Sequence, residues 1–428
     1  MPIISPTQQL TQLFDEALLN QIAKKVKFCE RLREITPLRL ITSLVSSFGD
    51  GKLDSIADLH RTFNGQPMKA DSGVAYKPFH NQLRKEGFSD FMRAVTLEAM
   101  ALFRQQLSLE LPEKLNRFEQ VLLHDGSSFT LHPELASVFP NRFKTQNPAA
   151  IECHMTMSLT DEQPHKLEIS ADTASERTYL PLPAELSNHL LLADAGYVSL
   201  KYMAELQRHG GFYVMRATKH LNPEIVRAFN AKNKEMPKLV GMKLKDLQKR
   251  RGGRARALDL DVRWQSHQCR MVLIWHKEEK RYLWWLTNLP RTEFSCDDIA
   301  KLYRIRWQIE LLFKEWKSHN NLKGLVTRQP HLVKGLIWAS LLSLLVKRFI
   351  GRVAQQRHNV RLSMQKVAKA TQGWFEPILK SLANKNYRRL KQQVEWAIQF
   401  IAENCTRADI AANKKHYSFD SIMEYFDA

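Results

Sequence analysis

Residues 303–317, YRIRWQIELLFKEWK, decide how the rest of this chain is read. At about 100° of rotation per residue, a helix through this stretch brings Tyr303, Arg306, Glu310 and Lys317 into an arc of roughly 60°. The adjoining face carries Leu302, Ile305, Ile309, Leu312, Phe313 and Trp316, the apolar stripe that packs a helix on a core. A carboxylate, an arginine and a lysine at the rim of a buried seam suit metal-dependent phosphoryl transfer, because the acid is held rigidly and the cations can grip phosphate. Any one of these charges alone reads as a solvated surface group, like the i,i+4 pair of Glu310 with Lys314. Their coincidence on one face sets the helix apart.

Composition narrows the partner. With 428 residues, 44% hydrophobic and 25% charged, the chain can bury a sizeable core and divides into two to four domains. The 64 Lys and Arg exceed the 44 Asp and Glu, a formal charge of +20 that favours a polyanion, nucleic acid first. A membrane is the rival partner of a basic chain, but the apolar run 336–346 is too short to span a bilayer and is flanked by Lys334 and Lys347. The first residues lack a charged region followed by a hydrophobic signal core, so the expected location is the cytoplasm. Cys29, Cys153, Cys269, Cys296 and Cys405 are scattered and free of C-x2-C spacing, which argues against a disulfide framework and a structural zinc.

Along the chain, residues 9–110 have helical periodicity, with Pro37 opening an apolar helix that ends at Gly49. Two short helices, 56–63 and 76–84, could form a DNA-reading pair or pack simply as helices; Pro78 is tolerable there only in a first turn. From residue 118 strands appear: 121–123 ending at His124 and Asp125, then 151–159 and 166–171. A helix over 183–191, a strand 190–193 ending at Asp194, a helix 199–207 and a strand 212–216 follow. This is the element order of an RNase H-like α/β core. Strands at 258–264, 269–276 and 282–287 make a β-rich insertion, and the chain beyond residue 330 is helical and basic. The expected division is therefore a helical N-terminal DNA-binding domain 1–115, a first core part 116–217, the insertion 218–290, the signature helix 291–330 and a helical C-terminal region 331–428.

Asp125 and Asp194 each end a short apolar strand, in HDGSSF and ADAGY. Carboxylates projected from strand ends into one crevice suit Mg²⁺, which binds through a few carboxylates and keeps several waters. With Glu310 as third member, such a triad can hold two ions about 4 Å apart, one for the attacking oxygen and one for the leaving 3′-oxygen. Individually Asp125 reads equally as an Asp-Gly turn and Asp194 as a helix cap. His124 is given no role. The run Lys243, Lys245, Lys249, Arg250, Arg251, Arg254 and Arg256, in which Asp246 is the single interleaved acid, can track a phosphate backbone or form a solvated loop.

These motifs resemble the bacterial DDE transposases of the insertion-sequence-four family, whose signature is Y-x2-R-x3-E-x6-K. Tyr303, Arg306, Glu310 and Lys317 match it at every position, and Asp125 with Gly126, and Asp194 with Gly196 and Tyr197, match its two Asp regions. The resemblance covers about residues 118–325. It implies an RNase H-like fold with a β-rich insertion, catalytic and metal-binding Asp125, Asp194 and Glu310, and Mg²⁺ as cofactor with Mn²⁺ able to substitute. It further implies that Tyr303, Arg306 and Lys317 contact phosphates at the element's end. Some relatives hold a flipped base against a tryptophan of the insertion, and Trp284 and Trp285 lie near that place, with core packing the role of at least one, since strand alternation lets at most one reach the nucleic acid. The expected activity is cut-and-paste transposition on double-stranded DNA, by a homodimer in the DNA complex. The alternatives are an RNase H-like nuclease without strand transfer and a non-catalytic DNA-binding derivative.

Overall fold

The structure, a computed structural model, describes residues 5–31, 33–49, 53–66, 73–104, 111–218, 220–249, 256–265, 267–319, 327–371, 373–407 and 419–427. At its centre lies a nine-stranded sheet in the order β3-β2-β1-β4-β5-β9-β8-β7-β6. The strands are β1 (Val121–Thr130), β2 (Ala150–Ser158), β3 (Pro164–Ala171), β4 (Leu190–Ala193), β5 (Phe212–Arg216), β6 (Glu224–Asn230), β7 (Ala257–Trp264), β8 (His267–His276) and β9 (Arg281–Thr287). β1 to β3 form an antiparallel meander, β1, β4 and β5 run parallel, and β9 to β6 continue antiparallel from β5.

Six helices precede β1 by more than a turn: α1 (Pro6–Leu13), α2 (Glu16–Lys25), α3 (Pro37–Gly49), α4 (Ile56–Asn64), α5 (Tyr76–Leu83) and α6 (Glu86–Arg104), with a single turn α7 (Glu113–Asn116) after them. α8 (Leu200–Arg208) joins β4 to β5, and α9 (Leu244–Lys249) lies between β6 and β7. α10 (Cys296–Ile305), α11 (Trp307–His319), α12 (Pro330–His358), α13 (Met364–Lys369), α14 (Phe375–Ala383), α15 (Tyr387–Asn404) and α16 (Phe419–Asp427) complete the described elements. One face of the sheet packs on α10 to α12 and the terminal helices in a single apolar core; the other, with α8, carries a second cluster around Leu191, Met203 and Leu260. α12 is the central rod, buried on nearly all sides from Leu332 to Ala354, as the apolar run 336–346 required.

The structure changes three sequence readings and adds two features to them. β1 does not stop at Asp125 but runs to Thr130, because β2 pairs with it along its whole length, Thr130↔Ala150 included. No α-helix spans 183–191: a single 3-10 turn, Pro183–Glu185, ends before Asn188, whose φ of 54° is left-handed and incompatible with helix continuation. β6 was not anticipated; it is an edge strand held by its ladder to β7. The strands of the β-rich segment join the central sheet, where β9 pairs with β5 through Val214↔Thr287, Met215↔Leu286 and Arg216↔Trp285. Finally, the helix through 303–317 is broken at Arg306, where Arg306 N–H bonds Tyr303 C=O and Ile309 N–H bonds Arg306 C=O, both i→i+3 links that tighten one turn.

Candidate active site

Register places the first two acids. β1 and β4 pair in parallel through His124↔Ala193, so Asp125 and Asp194 are the next residues on neighbouring strands, at the same level and on the same face. At that level β1 continues while β4 ends, and the chain leaves the sheet through a 3-10 turn, Ala195–Tyr197. The two carboxylates thus stand side by side at the C-terminal end of the parallel strands, where the sheet opens.

The tightened turn between α10 and α11 closes the site from above. Tyr303 Oη donates to Asp194 Oδ1 at 2.7 Å, and Arg306 Nη1 donates to Asp125 Oδ2 at 2.9 Å. Arg306 Nη2 donates to Glu310 Oε1, so one guanidinium bridges two of the three acids, with its carbon 5.3 Å from the Tyr303 ring centre. Lys317 lies three turns further on, donating from Nζ to Ser128 C=O at 3.0 Å with the Phe129 ring 4.7 Å away. The structure therefore brings Asp125, Asp194, Glu310, Tyr303 and Arg306 into one constellation and sets Lys317 at its edge.

Burial pushes the Asp125 carboxyl up to about 6, even with the Arg306 cation and the Gly126 amide pulling it down. Burial also acts on Asp194, but the Tyr303 hydrogen bond, the Ala195 amide and Arg306 outweigh it and hold that carboxyl below its ordinary value. An acid that burial disfavours as an anion gains most from a close cation, and the donor set is all hard carboxylate oxygen, the chemistry Mg²⁺ takes. Among the described residues no three acidic, His or Cys side chains are drawn together tightly enough to share an ion, for the Arg306 guanidinium occupies the position between Asp125 and Glu310. Asp125, Asp194 and Glu310 are the residues that could hold a divalent ion here.

The remaining sequence candidates separate. Trp285 is buried, its ring 6.1 Å from that of Tyr303, while Trp284 is half-buried on the opposite face against the second cluster. Arg250, Arg251 and Arg254 lie outside the described residues. His124 points away from the acids, donating or accepting at Thr156 Oγ1 (2.9 Å), and burial lowers it to about 3, so it is a neutral packed group.

Sequence reasoning missed Trp307. It is 56% exposed, immediately after Arg306, and borders a cavity of about 680 Å³ together with Tyr303, Arg306, Glu310, Arg216 and Arg407. The signal was present, since Trp307 is an aromatic outside the apolar stripe. Also missed was a polar layer behind the acids, buried at Glu152 and Asp172 and exposed at Arg142 and Arg177. Arg142 donates to Glu152 Oε2 (3.0 Å), Glu176 Oε1 (2.9 Å) and Asp172 C=O, and Arg177 Nε donates to Gly196 C=O at 3.2 Å. Burial raises Glu152 to about 7.

Comparison with known proteins gives the family. The family model described as "Transposase DDE domain" matches residues 116–346. The chain belongs to that family of transposases, and the matched segment contains Asp125, Asp194 and Glu310. The transposase of the insertion sequence IS1151 of Clostridium perfringens is 22% identical over 355 residues, 73% of each chain. A putative transposase, InsL of the insertion sequence IS186A in Escherichia coli strain K12, is 48% identical over 58 residues, 14% of this chain and 16% of that one. The cryo-EM structure of a piggyBac transposase synaptic complex with hairpin DNA aligns with 99% of this chain and 90% of that one, at 12% identity and a TM-score of 0.47. Among the described residues no helix is long and apolar enough to cross a membrane.

Proposed function

We infer that this transposase binds the terminal repeats of its own insertion element, cuts the DNA there and joins the freed 3′-hydroxyl to target DNA, in the manner of the insertion-sequence-four family. The observation that carries the reading is the register of Asp125 beside Asp194 with Glu310 linked to them through Arg306. The order β3-β2-β1-β4-β5, with the first three strands antiparallel and the last three parallel, supports an RNase H-like core. With Mg²⁺ held by Asp125, Asp194 and Glu310, the chemistry supplied is activation of the attacking oxygen and stabilisation of the leaving 3′-oxygen.

The protein's own groups do the rest. Tyr303 fixes the Asp194 carboxylate by its 2.7 Å hydrogen bond. Arg306 trades its carboxylate partners for a DNA phosphate, a fork-shaped donor set suited to phosphate oxygens, and Lys317 adds a point charge. Trp307 offers a stacking surface for a base at the cavity mouth. At the N-terminal end, α5 buries Phe79 and Leu83 and exposes Tyr76, Lys77, Asn81 and Arg84, a basic face without acids that suits DNA. Two element ends need two such sites, hence a homodimer on DNA. In the bacterial cytoplasm such a protein works at the nucleoid.

The test is Glu310→Gln, which keeps size and removes charge. Mg²⁺-dependent cleavage of end DNA should disappear while binding to that DNA stays within about threefold of the original. Loss of binding together with cleavage would make Glu310 a structural residue and sink the reading.

A further inference from the structure

The backbone alone does not hold Asp125 and Asp194 at a fixed separation. Ladder bonds tie β1 to β4 only as far as His124↔Ala193, and the chain carrying Asp194 then turns away. What spans the gap lies on the opposite face of the sheet. Tyr197, three residues after Asp194, is buried with its ring edge-on to His124 at 4.7 Å, which carries the phenol across β1 to Gly126. From β2, Glu152 and His154 stand in register with Ser128 and Gly126 and close over the same point.

Gly126 is the point of closure. A methyl group there would lie 2.7 Å from Glu152 Oε1, 2.9 Å from Tyr197 Oη and 3.4 Å from His154 Nδ1. Its φ is not left-handed, so space and not backbone freedom calls for glycine. The converging atoms are buried, and among the described residues Tyr197 Oη and His154 Nδ1 have no hydrogen-bond partner. Glu152 is anchored from behind by Arg142, and His154 by Ser170 at 2.9 Å and by its stack on Tyr179 at 4.0 Å. A buried hydroxyl left without a partner is costly, so its placement needs a reason.

We propose that Tyr197 and Glu152 are positioning residues: closing over Gly126 from the turn after β4 and from β2, they hold the segment that carries Asp194 against the strand that carries Asp125 and so set the separation of the two carboxylates. The inference rests on the reading of those acids as metal ligands, and it goes beyond that reading by assigning a spacer to the Gly126 and Tyr197 positions.

The test uses the full-length protein bound to end DNA and reads Mn²⁺ affinity by electron paramagnetic resonance, with end-DNA binding and thermal midpoint measured in parallel. Groups that orient metal ligands typically cost about 10–100-fold in affinity when changed. Gly126→Ala should therefore weaken Mn²⁺ by about tenfold or more with end-DNA binding preserved, and saturating Mn²⁺ should restore most of its cleavage rate. Tyr197→Leu adds no atom, and the loss of the ring that packs edge-on to His124 should weaken Mn²⁺ in the same direction; it decides the matter if Gly126→Ala fails to fold. Unchanged Mn²⁺ affinity in a folded variant would overturn the proposal. So would a loss that tracks DNA binding and thermal midpoint and resists saturating Mn²⁺. Asp125→Asn is the separate control: if it binds Mn²⁺ like the original protein, the metal-ligand reading itself fails, whatever Gly126 and Tyr197 do.

Discussion

Asp125→Asn should stabilise the metal-free protein, and the size of the effect follows from the burial of that carboxyl. Its side chain is 18% exposed and its carboxyl is raised from 3.8 to about 6, with burial the largest cause. A rise of roughly two units corresponds to a cost of about 3 kcal/mol for keeping the folded protein ionised there at neutral pH. Because the folded value lies above the unfolded one, the stability tied to this group is fully present below about pH 4 and is lost as pH rises through about 6. Asparagine removes the charge but keeps the shape, leaving Arg306 its bond to Glu310. The variant should therefore be about 1–3 kcal/mol more stable at pH 7.5, with the advantage roughly halved at pH 5. Chemical denaturation of both proteins in EDTA at the two pH values measures the difference, in which titration of the other carboxylates cancels. A variant less stable at pH 7.5, or an advantage that does not shrink at pH 5, would refute the claim that this acid is held at a cost.

Other outcomes follow from the packing around the site. Arg348 pairs with buried Glu315 at 2.7 Å and donates to Glu162 C=O, tying α11 to α12 and the β2–β3 turn. Arg348→Ala takes from buried Glu315 its hydrogen-bonded cation, leaving only the charge of Lys347 nearby, and should lower stability by about 3–5 kcal/mol in a denaturation series, while Arg348→Met with Glu315→Leu should recover much of it. Trp307→Ala should leave the thermal midpoint within a degree or two but weaken end-DNA binding by about 1–3 kcal/mol if the ring stacks on a base. Lys317→Ala should reduce the slope of log affinity against log salt by about one, with little change in sequence preference.

Periodicity made the signature helices legible, because an apolar stripe and a polar face are written into residues 302–317 directly. The break at Arg306 was not, since one tightened turn changes no residue type; yet it sits where the guanidinium bridges Asp125 and Glu310. Asp125 and Asp194 could be picked out as strand-end acids, but their adjacency depends on the β1–β4 register, a contact across 69 residues that local pattern does not encode. β1 was read too short because Gly126, Ser127 and Ser128 have weak strand preference, and pairing with β2 overrides it. The helix expected at 183–191 failed for the opposite reason, a local device, the left-handed Asn188, stronger than the surrounding leucines. Tyr197 stood out in the sequence beside Asp194, but the layer of Arg142 and Glu152 that closes on it was invisible, because its members come from separate elements and make sense only around the missing side chain of Gly126.

The most direct measurement is a strand-transfer assay in Mg²⁺, on DNA carrying the element's terminal repeats and a separate target duplex, with the Glu310→Gln variant alongside. The account predicts cut ends covalently joined to target through their 3′-hydroxyls, and neither cut nor joined product from the variant. Cleavage without joining under conditions that pair the two ends, or joined product from Glu310→Gln, would contradict it.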